Sequence, residues 1–300
     1  MDLQPLFISR LGIGLALILG KSIPTGAAYR IADLVAALIT HRRMSKMVQA
    51  IRANQWVVSQ GKLSADELDQ AARATVCMAG RCIYDFYRAV NRPDDILRRV
   101  TFSPEFESYL QEGLQEKQGA LLVALHTSNF DLAGQAIALH GLRYQALSYP
   151  RPPRGYQWQN RLRSANGVEV TPMSKSALQK AKENLKNGGV VITGIDRPLP
   201  ESKYRPRFFG RPAAMPVAHI RLALQTKVPV IVVACHTKPD GSYVLQASKK
   251  IWMRPCPDLY TATVENAERV LSVAEAFILQ APRQWSMFYS VWPEVLDEVP

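Results

Sequence analysis

Apolar and polar positions change rhythm once along this chain, close to residue 117. Before that point the apolar residues recur at helical steps. Val76, Ala79, Ile83, Phe86 and Tyr87 fall three and four residues apart, and Ile31-Ala-Asp-Leu-Val-Ala-Ala-Leu-Ile prolongs an apolar theme begun at the N-terminus. Ser64-Ala-Asp-Glu67 is a capping box and predicts a long helix running through Tyr87. Ser103-Pro104 sets an N-cap before a proline at the first helical position, which predicts a further short helix. From Gly119 onward, short β-rich runs stand near residues 120–125, 144–149, 168–171, 190–195, 229–235 and 243–248, with helical segments between most of them. Gly188-Gly189 stops the helix predicted over Ser176-Ala-Leu-Gln-Lys-Ala-Lys-Glu-Asn-Leu.

This alternation predicts an α/β core over residues 117–300, with a largely parallel central sheet and flanking helices. An all-helical N-terminal region over residues 1–116, carrying a membrane-associating apolar segment, is expected to precede it and pack on it. No repeat, low-complexity tract or linker separates the two. In a sheet of this kind chemistry gathers at the carboxyl ends of the strands, where both His126 and Asp196 fall.

His126 ends the apolar run Leu121-Leu-Val-Ala-Leu, and Thr-Ser-Asn-Phe-Asp131 follows. If a helix starts near Asn129, His126 lies in the loop and Asp131 in the first turn, so the two side chains can converge. A carboxylate that orients an imidazole makes a base suited to a hydroxyl proton near neutral pH. Ser128-Asn-Phe-Asp131 equally fits a capping box in which Asp131 does no chemistry. This stretch alone leaves both open.

Lys+Arg 37 against Asp+Glu 25 gives a net charge of +12, which favours an anionic partner such as anionic lipid or an acidic carrier protein. Nucleic acid does not fit, because the basic residues are scattered and no nucleic-acid-binding signature appears. Cys77, Cys82, Cys235 and Cys256 form no disulfide framework and suggest a reducing compartment. The histidines have no metal-ligand spacing, so no metal is expected. Leu11-Gly-Ile-Gly-Leu-Ala-Leu-Ile-Leu-Gly20, bounded by Arg10 and Lys21, is short against the roughly 20 residues of a bilayer span. A signal peptide is a rival reading, but Asp2 sits in its n-region; a helix in the membrane interface fits better. Met1 to about Thr40 is therefore expected to anchor the chain to a membrane.

The order of the segments resembles the lysophospholipid acyltransferase superfamily, most closely its lipid A late acyltransferase (lauroyl/myristoyl acyltransferase) branch. His126 and Asp131 match the family's His-x4-Asp/Glu motif. Arg161-Leu-Arg-Ser resembles its arginine segment, Gly188-Gly-Val-Val-Ile-Thr-Gly-Ile-Asp196-Arg197 its next strand, and Phe208-Phe-Gly-Arg-Pro-Ala-Ala a loop before a helix. Val228-Pro-Val-Ile-Val-Val and Pro239-Asp-Gly-Ser-Tyr resemble the final strand pair. Two departures stand out: Ile195 where the branch commonly has proline, and Trp285-Ser-Met-Phe-Tyr-Ser-Val-Trp292 without the basic residues common there. They leave a lipid A precursor as only one candidate acceptor.

The resemblance implies acyl transfer from a thioester, on acyl carrier protein or coenzyme A, to a hydroxyl of a membrane glycolipid or phospholipid. It implies no cofactor beyond that co-substrate. It makes His126 the general base and Asp131 the residue that orients it. Backbone N–H groups near Asn129 are expected at the oxyanion. Arg161, Arg163 and Arg197 are expected to hold phosphate or the thioester carrier. Asp196 is expected to hold Arg197, Arg163 or the His126 loop in place. The expected location is the cytoplasmic face of the cell inner membrane, peripheral or monotopic. Two other readings remain at this point: a thioesterase or lipid hydrolase using the same base on water, and a catalytically silent membrane-binding protein.

Overall fold

The computed structural model describes residues 22–115, 118–150, 152 and 154–300. Among the described residues the first long helices are α1 Thr25–Thr40, α2 Lys46–Val58, α3 Ala65–Ala89 and the shorter α4 Pro93–Arg99. Ser64 and Glu67 form the reciprocal capping box that their spacing predicts, so α3 begins where the sequence says it should. Ala36 of α1 is fully buried, and Tyr29 of the same helix donates to Asp85 of α3 at 2.7 Å. Arg81 of α3 pairs with Asp33 at 2.8 Å, which ties the two helices together a second time.

A short strand, β1 Val100–Phe102, then leads into α5 Pro104–Leu114, whose first turn is capped by Ser103. This strand corrects the expectation of an all-helical region over residues 1–116. Three residues are too few to show a period of two, and only their place beside the sheet makes them a strand. The rest of the chain runs β2 Ala120–Ala124, α6 Phe130–Leu139, β3 Tyr144–Ser148, α7 Arg154–Arg163, β4 Val168–Pro172, α8 Lys175–Lys186 and β5 Val190–Gly194. It continues with β6 Arg207–Phe208, β7 Arg211–Pro212, α9 Ala218–Thr226, β8 Val230–Thr237, β9 Tyr243–Ala247 and α10 Leu259–Gln280.

Seven strands make one sheet in the order β1-β9-β8-β2-β5-β3-β4, and β6 with β7 makes a separate two-stranded pair. All neighbours in the large sheet are parallel except β8 and β9, which a tight turn through Gly241, at φ 81°, connects antiparallel. The central strands are buried on both faces, which is why they read as continuous apolar runs. Leu121, Val123 and Leu125 face a core shared with α8, α9, α10, Trp285 and Trp292. Leu122 faces the opposite core, with Phe86 and Tyr87 of α3, Ile96 of α4, Phe106 of α5 and Leu132 of α6. Helices α3, α4 and α5 of the helical region therefore cover one face of the sheet together with α6, whereas α2 joins the C-terminal helices on the other through Ala53, Val57 and Val58.

Among the described residues no helix is long and apolar enough to cross a membrane. The apolar run Leu11–Gly20 lies outside the described residues. Beyond it, α1 leaves Ile31, Leu34 and Leu38 exposed at 49%, 62% and 63%, an apolar stripe along one side of the helix.

Candidate active site at the carboxyl ends of β2 and β5

Strands β2 and β5 are neighbours in parallel register, with Ala124 opposite Gly194. Both end at this level, so His126 and Asp196 stand equally far beyond their strand ends and meet. His126 Nδ1 lies 2.5 Å from Asp196 Oδ1, while Asp196 Oδ2 accepts the His126 backbone N–H at 2.8 Å. The indole N–H of Trp285 donates to the same Oδ2 at 2.8 Å. Gly194 makes the approach possible, because a Cβ there would lie 2.9 Å from His126 Cε1.

Asp196 is fully buried, while the His126 side chain keeps 28% of its exposure, so the ring reaches the surface and its carboxylate does not. Burial pushes the Asp196 carboxyl up. The charge of the imidazole beside it, the hydrogen bonds from the His126 ring and backbone, and the bond from Trp285 outweigh that effect and hold it below the usual carboxylate range. An ionised Asp196 accepts the proton on Nδ1 and thereby leaves Nε2 as the free, basic nitrogen.

This arrangement corrects the expected partnership of His126 with Asp131. Asp131 turns both oxygens to Arg163, which donates from Nε at 2.7 Å and from Nη2 at 2.8 Å. Both side chains are about as enclosed, at 16% and 15% exposed. Burial alone would lower the Arg163 pKa; the Asp131 carboxylate reverses that, with Tyr156 adding to it, and raises it. The ring of Phe130 separates the two pairs, edge-on to His126 at 5.0 Å and 6.0 Å from the Arg163 guanidinium. Arg163 is thus committed to Asp131 rather than open to a phosphate.

The capping alternative for Asp131 is not realised either. Asn129 caps α6, accepting from the Leu132 N–H at 3.2 Å and donating to the Cys82 carbonyl at 3.0 Å. With its side chain 2% exposed and engaged at both ends, Asn129 holds the loop instead of meeting a substrate. Ser128 adopts φ 46°, a left-handed conformation that costs about 1 kcal/mol or more for a residue with a Cβ. Its hydroxyl lies 2.5 Å from Thr237 Oγ1 at the end of β8, and its N–H donates to the Gln284 carbonyl at 2.8 Å. Ser286 N–H donates to the His126 carbonyl at 2.8 Å, and Thr127 pairs with Trp285 in an antiparallel bridge. The segment after α10 is therefore laid along the His126 loop and clamps it on three consecutive residues.

Arg161 is exposed on α7, and among the described residues it makes no hydrogen bond or ion pair with His126, Asp196 or Asp131. Arg197, directly after Asp196, lies over two rings, 4.1 Å from the centroid of Tyr289 and 5.0 Å from that of Tyr149. Among the described residues no carboxylate pairs with it.

A cavity of about 160 Å³ opens beside His126 and runs between α6 and the sheet. Phe130, Asp131 and Ser148 line it at the carboxyl ends of the strands, and Ile137, Tyr144 and Val168 line it toward their starts. It therefore follows the whole of β3, about 13 Å at roughly 3.3 Å per residue. Its walls are mainly apolar, with Ile137, Val168, Val170, Ile192 and Leu245 among them. Among the described residues no group of three or more His, Cys, Asp or Glu side chains is placed to hold a metal ion.

Sequence reasoning did not reach Trp285, Gly194, Thr237 or the two tyrosines around Arg197. Gly194, two residues before an acid at a strand end, was a readable sign of close approach. Trp285 and Thr237 come from elements far away in sequence and carried no local sign.

Comparison with known proteins gives a family match over nearly the whole chain. The model described as bacterial lipid A biosynthesis acyltransferase matches residues 4–293. The phosphatidylinositol mannoside acyltransferase of Mycobacterium tuberculosis (strain ATCC 25618 / H37Rv) is 27% identical over 198 residues, covering 63% of this chain and 60% of that protein. The protein of the same name from Mycolicibacterium smegmatis (strain ATCC 700084 / mc(2)155) is 24% identical over 240 residues, covering 77% of this chain and 75% of that protein. The chain thus aligns with about 60% of the length of the first relative.

Proposed function

This chain belongs to the bacterial lipid A biosynthesis acyltransferase family, and from that premise we propose that it moves a fatty acyl chain from an acyl thioester to a hydroxyl of a membrane glycolipid or phospholipid. One observation carries the proposal: a partly exposed imidazole, its Nδ1 held by a buried carboxylate, stands at the mouth of a mainly apolar cavity. An acyl chain fits the cavity by its apolar walls, and its thioester carbonyl would then lie beside His126.

In this mechanism His126 Nε2 takes the proton of the acceptor hydroxyl as its oxygen attacks the thioester carbonyl carbon. The C–O bond forms, the C–S bond breaks, and the imidazolium returns its proton to the departing thiolate. Asp196 remains ionised throughout and stabilises the imidazolium. No enzyme-bound acyl intermediate is required, and no serine or cysteine contacts the His126 ring among the described residues. Asp131 and Arg163 shape the wall beside the base.

The donor in this reading is an acyl thioester of acyl carrier protein or of coenzyme A, with no resident cofactor. The curated relatives are named for phosphatidylinositol mannoside, and a glycolipid acceptor suits this chain by that likeness. The location proposed is the cytoplasmic face of the inner membrane. The exposed stripe Ile31, Leu34 and Leu38 supports it, followed as it is by Met44, 82% exposed, and by exposed Arg42 and Lys46.

The test is turnover of acyl-coenzyme A and acyl-carrier protein by the wild type and by His126→Ala, with and without a panel of glycolipid and phospholipid acceptors. Loss of the base should lower acceptor-dependent turnover by about 10²–10⁴-fold with an unchanged melting temperature. Equal turnover by a folded variant overturns the mechanism. Donor consumption that ignores the acceptor would instead identify a thioesterase.

A further inference from the structure

Helix α2 buries two adjacent amides, Asn54 at 1% and Gln55 at 3% exposed. A buried amide is costly unless its donors and acceptor find partners. Both find them in the segment after α10. Asn54 donates to the Met287 carbonyl at 3.2 Å and to the Tyr289 carbonyl at 2.9 Å, and it accepts the Val291 N–H at 3.1 Å. Gln55 donates to the Pro282 carbonyl at 2.8 Å.

From Ser286 to Trp292 the chain is neither helix nor strand, so its buried backbone groups have no ladder to pair with. Asn54 takes the place of a ladder at alternate residues, Met287, Tyr289 and Val291. Gln55 fixes the same segment on the other side of Trp285. The indole that donates to Asp196 therefore lies between two points of attachment to α2. The middle of the segment is bound to the site itself. Gln284 Oε1 accepts the Thr237 N–H at 2.8 Å, Gln284 Nε2 donates to the Thr237 carbonyl at 3.1 Å, and Ser286 N–H holds the His126 carbonyl. Asp196 thus holds the base, Trp285 holds Asp196, and α2 holds the segment that carries Trp285.

Resting on the acyl-transfer reading for the identity of the base, we propose that Asn54, supported by Gln55, is a positioning residue of the active site. It seats the segment 282–291 and through it fixes the hydrogen bond from Trp285 to Asp196 and the orientation of His126. Without its amide, the carbonyls of Met287 and Tyr289 and the N–H of Val291 are left unpaired in the interior, and the segment relieves this by moving toward water. Trp285, two residues before Met287, moves with it and draws its N–H away from Asp196.

The test compares Asn54→Leu and the milder Gln55→Met with Leu110→Ala, which opens a cavity in the core on the other face of the sheet. One measurement on the full chain needs no turnover: the proton resonance of the Trp285 indole N–H, assigned by its absence in Trp285→Phe. Asn54→Leu should move it upfield, as for a donor that has lost a charged acceptor, and Gln55→Met should move it the same way by less. Leu110→Ala should lower the melting temperature and leave the resonance in place. In turnover, Asn54→Leu should lower kcat by about tenfold with little change in KM, and should move the acid limb of the pH–rate profile to higher pH. Added to Trp285→Phe, it should cost little more, because both changes act through the same bond. An indole resonance at its wild-type position in folded Asn54→Leu overturns the proposal, as does a full second loss in the double variant. Gln55→Met, which removes one bond only, decides in the same way if Asn54→Leu does not fold. The resonance is read without substrate, so failure of the acyl-transfer reading in the activity assay is separate from failure here.

Discussion

The Trp285 indole N–H donates to Asp196 Oδ2 at 2.8 Å, the carboxylate whose other oxygen holds His126 Nδ1. Trp285 is 1% exposed, so the bond is made out of water, where a donor to a charge is worth about 1.5–3 kcal/mol. It also belongs to the segment that pairs with Thr127, so one residue positions the base and its acid together.

Trp285→Phe keeps much of the ring packing and removes the donor. Without it the carboxylate is more basic and holds the imidazolium more firmly. Turnover should fall about tenfold because Asp196 also loses a bond that fixes its orientation toward the ring, and the acid limb of the pH–rate profile should move to higher pH. A profile that drops in height with no shift along the pH axis would reduce Trp285 to packing.

The two acids should respond differently to the same change. Asp196→Asn removes the charge that supports the base and should lower turnover by at least about 10²-fold, since an amide also permits the wrong tautomer. Asp131→Asn instead leaves Arg163 enclosed without its counter-charge. The expected loss is about 3 kcal/mol of stability, at the low end for a buried pair because both side chains keep some contact with water. Parallel melting curves and kinetics check the ordering. Equal kinetic losses with unaltered melting for both variants would return Asp131 to the role of orienting His126.

His219 on α9 is 3% exposed, its Nε2 has no hydrogen-bond partner among the described residues, and burial pushes its pKa down to about 3. The unfolded chain therefore takes up a proton near pH 6.5 that the folded chain refuses until about pH 3. Its depressed value makes stability complete above about pH 6.5 and progressively lower below it, by about 2 kcal/mol at pH 5. His219→Leu should flatten this part of the curve, so that the melting temperature falls less between pH 7.5 and pH 5 than in the wild type. Identical falls in the two proteins would show that His219 is not the group refused.

If the stripe on α1 meets a bilayer, charge placed on it should release the protein. Leu34→Glu with Leu38→Glu alters two exposed positions, 62% and 63%, and so should spare the melting temperature. The share of protein floating with anionic vesicles should fall severalfold. Unchanged flotation would move the membrane contact elsewhere on the chain.

Local rules along the chain determined much of this protein. Ser64 with Glu67 and Ser103 with Pro104 start helices by chemistry confined to one turn, and the apolar runs from residue 120 onward are strands because they are buried on both faces. Those runs also put His126 and Asp196 at strand ends. Which strands are neighbours is decided by the whole sheet, and here lies the difference. A five-residue spacing suggested Asp131 for His126, but β2 lies beside β5 with Ala124 opposite Gly194, and that register delivers Asp196 to the imidazole instead. Asp131, in the first turn of α6, is left facing α7 and Arg163. The three-residue strand β1, the Trp285 donor and the tyrosines around Arg197 have the same origin: each acquires its role from a partner distant in sequence, and no local pattern encodes a partner of that kind.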